Sequence, residues 1–227
     1  MDEETVKMIA AQLRKPEGEM AVQIGERMNE GNFHINQYAI EALNVKPSDR
    51  VLEIGMGNGL FVKKILSAGK EVHYSGCDFS EEMVEDAVKR NKLSVNSGQS
   101  DFHACNAESL PFDDEEFDKI ITVNTLYFWE NQERVFREIK RVMKKDAVFV
   151  IAIRPKFLME NYEVARYGFN MFSKEDLVTL LITNGFSAIE VAERTEPVID
   201  FLDTKMKSTS LIVTATRSGA PVGLAHY

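Results

Sequence analysis

Glu53 stands two residues ahead of an alternating glycine run, Gly55-Met56-Gly57-Asn58-Gly59, and Asp78 follows about one strand-helix-strand repeat later. Glycine tolerates positive φ at little cost and lets a ligand come up against the backbone. A turn of this kind between a strand and a helix is where α/β proteins hold nucleotide-like ligands. Two details separate it from a dinucleotide site. The spacing is G-x-G-x-G, with Leu60 where the dinucleotide fingerprint has its third glycine. Glu53 would also lie close to a pyrophosphate, whereas a carboxylate suits a ligand with a cationic end. Asp78 closes the segment Tyr74-Ser75-Gly76-Cys77-Asp78, where an acidic side chain can accept both hydroxyls of a ribose. The competing reading of Asp78 is a helix N-cap, a role that Ser80 fills better.

These residues need a scaffold, and the hydrophobic pattern supplies one. Strand-period runs fall at 51–54, 72–77, 101–104, 118–123, 147–153, 186–193 and 210–216. Helical patterns at 59–67, 80–91, 131–143 and 173–183 lie between them. Alternation at this spacing predicts right-handed βαβ units and a mostly parallel sheet with helices on both faces. Residues 195–209 interrupt the last two strands and leave them to pair antiparallel. Ligands in open α/β sheets bind beyond the carboxyl ends of the strands. Residues 1–49, 154–172 and 195–209 are therefore expected to wall a pocket there.

Val51-Leu52-Glu53-Ile54-Gly55-Met56-Gly57-Asn58-Gly59 resembles the first motif of class I S-adenosylmethionine (SAM) dependent methyltransferases. Downstream matches follow in that family's order and cover residues 50 to 217. The segment from Asn106-Ala107-Glu108 to Phe117-Asp118 resembles the family's D-A-E-x-L-P-F-x-D-x-x-F-D element, with Asn106 in place of the usual Asp. The amide oxygen of Asn106 can still accept from an adenine amine, without charge assistance. The resemblance is closest to the small-molecule subgroup that includes the methyltransferases of ubiquinone and menaquinone synthesis. It implies an α/β, Rossmann-like, seven-stranded and mostly parallel sheet in the order 3-2-1-4-5-7-6, the last strand antiparallel, with helices on both faces. It implies SAM as cofactor, held by Glu53, Gly55, Met56, Gly57 and Gly59, by Asp78 with Phe79 and Met83, by Asn106, Ala107 and Glu108, and by Val123 and Asn124. It also implies three parts: an N-terminal helical cap segment at 1–49, the methyltransferase domain at 50–217, and a tail at 218–227.

Val123-Asn124-Thr125-Leu126-Tyr127-Phe128-Trp129 leaves the fourth strand where the family lines its methyl-transfer site. Tyr127 and Trp129 either face the acceptor, with Trp129 cradling a sulfonium, or pack beneath the next helix. The amide-rich Met28-Asn29-Glu30-Gly31-Asn32-Phe33-His34-Ile35-Asn36 either covers the cofactor's methionine end or serves capping and turns. His34 and Tyr127 are the candidate bases, with an ordinary exposed histidine the simpler reading of His34. Phe33, Phe157, Tyr162, Tyr167, Phe169, Met171 and Phe201 in the wall segments suit an apolar or aromatic substrate.

A net charge of −9 over 227 residues disfavours a nucleic-acid substrate, because a phosphate backbone needs clustered Lys and Arg. The basic stretch Lys140 to Lys145 is expected to complement a helix end, and the acidic stretch Asp113 to Asp118 to form a solvated turn. No apolar run reaches the length of a membrane span, and the acidic start Met1-Asp2-Glu3-Glu4 is unlike a secretory leader. Cys77 and Cys105 suggest no disulfide framework, so a reducing cytoplasm is the expected setting. The His and Cys spacing predicts no metal site. Expected is methyl transfer from SAM to a small-molecule acceptor, in an assembly of open size. Two readings compete: a non-catalytic SAM-binding regulatory protein, and an NAD-dependent oxidoreductase, which the absent third glycine and Glu53 oppose.

Overall fold

A run of near-continuous apolar strands such as Val51-Leu52 and Ile120-Ile121 needs cover on both faces, and the fold provides it. The computed structural model describes residues 1–201, 204–206 and 208–217. Strands β1 (Arg50–Ile54), β2 (His73–Asp78), β3 (Ser100–Ala104), β4 (Phe117–Val123) and β5 (Met143–Ile153) run parallel. They are followed by β6 (Phe186–Thr195), a small antiparallel hairpin of β7 (Ile199–Phe201) and β8 (Thr204–Met206), and β9 (Thr209–Arg217). The large sheet has seven strands in the order β3-β2-β1-β4-β5-β9-β6, with β9 antiparallel to both neighbours. The expected order is thus the observed one, the inserted hairpin changing only the last number. The strand order reverses its progression between β1 and β4, which opens a crevice beyond their carboxyl ends.

The helices are α1 (Glu3–Arg14), α2 (Ala21–Gly31), α3 (Phe33–Leu43), α4 (Val62–Leu66), α5 (Glu81–Arg90), α6 (Lys92–Asn96), α7 (Gln132–Val142), α8 (Lys156–Met159) and α9 (Lys174–Thr183). Successive strand residues point to opposite faces. Leu52, Ile120, Phe149 and Ile151 therefore pack under α7 and α9, and Val51, Ile121, Val150 and Ala152 under α3 and α4. Val135, Phe136, Ile139 and Val142 recur at helical spacing and are all buried, each contributing roughly 1.5–3 kcal/mol at most.

Three findings depart from the sequence reading. Helix α3, within the expected cap segment, also packs on the sheet: its Ile35, Ala39, Ile40 and Leu43 are core residues. Helix α6 was not expected, since Lys-Leu-Ser-Val-Asn has no apolar period and none of its residues is buried. The acidic stretch is more than a solvated turn. Arg141 bonds Asp114, Glu138 and the Leu110 and Phe112 carbonyls, and Lys144 bonds Asp118, so the acidic and basic stretches answer one another. Among the described residues no helix is long and apolar enough to cross a membrane. The tail 218–227 and the side chain of Phe201 lie outside the described residues.

Candidate functional site

The site begins where β1 ends. Glu53 is 4% exposed, and its carboxylate accepts from the Tyr74 hydroxyl at 2.7 Å. Burial, with Asp78 adding repulsion, pushes its pKa up to about 7. Gly55 has φ +75°, and a Cβ there would stand 2.0 Å from Thr125 Cγ2. Thr125 is held in turn by the Thr122 hydroxyl, which donates to the Ile54 carbonyl at 2.9 Å. The amides of Gly55 and Met56 both donate to the Cys77 carbonyl, tying the loop to β2. Gly57 has φ +57° with open space where a Cβ would be, and its amide donates to Asp78 Oδ2 at 2.9 Å. Gly59 has another task. Its missing Cβ lets α5 approach, since a Cβ would meet Ala87 at 3.0 Å and Asn91 at 2.7 Å.

Asp78 Oδ1 accepts the Ser80 amide at 2.9 Å, so the Asp78 side chain is fixed by two backbone donors. Burial raises its pKa against the pull of those hydrogen bonds. Ser80 caps α5 as the sequence suggested, accepting from the Met83 amide at 3.2 Å, and its hydroxyl also donates to the Pro16 carbonyl. Met83 is buried under the loop, while Phe79 is half exposed with the Lys15 ammonium 4.9 Å above its ring. Asn106 opens the turn after β3, its Oδ1 accepting from the Glu108 amide at 2.9 Å. Among the described residues no basic side chain is paired with Glu53 or Asp78. Two buried carboxylates without a cation make a site that a cationic, ribose-bearing ligand completes. SAM fits this donor and acceptor set.

The amide-rich segment also faces this space. Asn32 Oδ1 accepts from Asn124 Nδ2 at 2.9 Å, and Asn29 Nδ2 donates to Asn58 Oδ1 at 3.0 Å. Asn124 is held at φ +56°, a conformation asparagine tolerates, just beyond β4. The Tyr127 hydroxyl accepts from the Arg154 amide and donates to Asn124 Oδ1 at 3.0 Å. Burial drives its pKa well above the ordinary tyrosine value. Trp129 combines its two readings, packing edge-on against Phe136 at 5.4 Å while lining the same cavity as Glu53.

These parts enclose a cavity of about 210 Å3 that Glu53, Gly55, Met56, Gly57, Asp78, Phe79, Met83, Asn106, Ala107, Glu108, Val123 and Asn124 all line. Gly59 and His34 do not line it; Gly59 turns toward α5, and His34 packs against Phe33. A second cavity of about 200 Å3 adjoins the first and holds Tyr127, Tyr162 and Phe169. Leu13, Met28, Asn32, Asn124 and Phe128 border both. Sequence reasoning missed Leu13, Arg14 and Pro16 of the N-terminal segment, and Glu130, which pairs with Arg14. No motif marks them, because they meet the loop only through the packing of α1. Among the described residues no group of three or more His, Cys, Asp and Glu could hold a metal.

Comparison with known proteins agrees with this geometry. Residues 52–151 match the model of a family described as a methyltransferase domain. The chain is 31% identical over 126 residues to the uncharacterized methyltransferase YdaC of Bacillus subtilis, spanning 55% of this chain and 67% of that protein. It is 33% identical over 182 residues to the uncharacterized protein MJ1123 of Methanocaldococcus jannaschii, spanning 76% of this chain and 82% of that protein. Among solved structures, a SAM-dependent methyltransferase of Thermotoga maritima superposes with a TM-score of 0.68 at 24% identity, covering 94% of this chain and 100% of that one. Identity at that level speaks for the fold alone.

Proposed function

Because the chain belongs to the class I SAM-dependent methyltransferases and takes SAM as its cofactor, we propose that its acceptor is a small molecule, bound in the cavity beside the cofactor's. The observation that carries this reading is the junction of the two cavities at Asn32, Asn124 and Phe128. A molecule in the second cavity would meet the cofactor there without any macromolecular surface having to reach in. The NAD-dependent reading is set aside, since the family is SAM-dependent and the buried Glu53 carboxylate beside the turn disfavours a pyrophosphate. A purely regulatory role gains no support from the family's enzymes.

In this reading Glu53 faces the cationic methionine end, Asp78 takes the ribose hydroxyls, and the Asn106 turn reads the adenine edge. Gly57 leaves room for the ligand against the backbone, while Gly55 makes room for Thr125 beneath the turn. SAM held by these residues would supply an activated methyl group for direct transfer to the acceptor atom. The chain's own part is to align the acceptor at Asn124 and to keep water out with the aromatic side chains beyond β4. Tyr127 is a poor base, buried and with its hydroxyl committed to Arg154 and Asn124. The pocket walls are proposed to come from α1, α2 and the 154–172 segment, with 50–217 as the catalytic body.

The test is methyl transfer from radiolabelled SAM into a cell extract separated by size. Label in the small-molecule filtrate is expected. Label confined to protein or nucleic acid would sink the reading, and none in any fraction, with SAM binding intact, would favour the regulatory alternative.

A further inference from the structure

The second cavity says more about its ligand than size alone. Among its described lining residues Arg154 is the one charged side chain, and it is 8% exposed. Its guanidinium is already engaged. Nη1 pairs with Glu196 and donates to Ser210 Oγ at 3.2 Å, while Nη2 donates to the Gly31 carbonyl at 2.9 Å. Glu196 is 3% exposed and accepts from the Ser210 hydroxyl as well. An entering carboxylate would have to shed its hydration and compete with Glu196 for a cation already neutralised. An entering ammonium would find no free carboxylate among these residues.

Much of the rest of the lining is rings. Phe128 and Phe169 stand 4.6 Å apart at 64°, and Tyr127 lies 5.8 Å from Phe169 and 6.0 Å from Phe128. Such edge-to-face arrays favour another flat ring over a saturated one of equal bulk. Polar groups gather where the cavities meet, at Asn32 and Asn124. We propose that the acceptor is an uncharged aromatic molecule whose methyl-accepting O–H or N–H lies against Asn124, and that the Arg154–Glu196 pair makes the cavity refuse anions. This rests on the small-molecule reading above and adds the chemical class.

The test is calorimetric titration of the full chain, saturated with S-adenosylhomocysteine near neutral pH, with naphthol, naphthoate, naphthylmethylamine and decahydronaphthol. Naphthol is expected to bind at least about tenfold tighter than each of the others. Glu196→Gln frees the guanidinium and is expected to raise naphthoate affinity by about tenfold or more. Should that variant fold poorly, Phe169→Ala serves instead, lowering naphthol affinity about tenfold while S-adenosylhomocysteine affinity holds. Naphthoate or the amine matching naphthol would overturn the uncharged class, and decahydronaphthol matching it would overturn the aromatic one. In each case the small-molecule reading stands. If no probe binds while S-adenosylhomocysteine does, both fall together.

Discussion

The two cavities share a wall yet are made in opposite ways. The first cavity is built on short contiguous stretches at the carboxyl ends of β1 to β4, covered by residues of the N-terminal helices, with two buried carboxylates and backbone donors fixing its polar groups. The neighbouring cavity shares the turn beyond β4 and otherwise draws scattered side chains from α1, α2, the 154–172 segment and Ser208, and its one described charge is cancelled internally. A ligand of fixed chemistry can be met by a fixed turn, so local sequence suffices. A ligand that differs from one relative to the next is met by side chains on connections, which vary without disturbing the sheet.

The sharpest way to break this contrast is at Gly55. Gly55→Val forces a side chain into Thr125 at a positive φ, and the expected cost is about 3 kcal/mol of stability together with loss of SAM binding. Thermal melting and titration with SAM would check both. Asp78→Ala strands the amides of Gly57 and Ser80 as well as removing the ribose acceptor. SAM affinity should fall at least about tenfold, and an unchanged value would defeat the ribose assignment.

A pH series sharpens the electrostatic half of the comparison. With the Glu53 pKa at about 7 in the free protein, its ionised form, the one that suits a cation, is scarce below that pH. SAM affinity should therefore rise as pH climbs to about 7 and level off above, and Glu53→Gln should flatten the profile at a lower affinity. The stability of the free protein should move the other way. A carboxyl whose pKa is raised from 4.5 to about 7 on folding contributes stability that is complete below 4.5 and lost as pH rises through 7. Glu53→Gln should lose this fall. The smallest effect is expected at His34, which lines neither cavity. His34→Ala should leave turnover within about twofold, and a collapse of kcat would restore it as a base.

Much of this was legible beforehand for identifiable reasons. The mostly parallel sheet followed from alternating periods, because parallel strands buried on both faces cannot hide their apolar runs, whereas its strand order came only with the family resemblance. The glycine loop and Asp78 were legible because each residue type answers a local demand. Gly59 misled because sequence shows that a glycine is required without showing which neighbour requires it; the neighbour is Ala87 on α5. Helix α3 precedes the first strand and still packs in the core, because chain order does not say which face of the sheet a helix covers.

What the amino-acid sequence determined by itself was the mostly parallel α/β sheet and the make-up of the glycine turn, since these depend on period, spacing and single-residue conformational preferences. Only the tertiary structure decided that Arg14 meets Glu130, that Asn32 meets Asn124 across the chain, and that Arg154 is silenced by Glu196. Those contacts join residues far apart in the sequence, and whether a charge is free or cancelled depends on which partner the packed fold brings beside it.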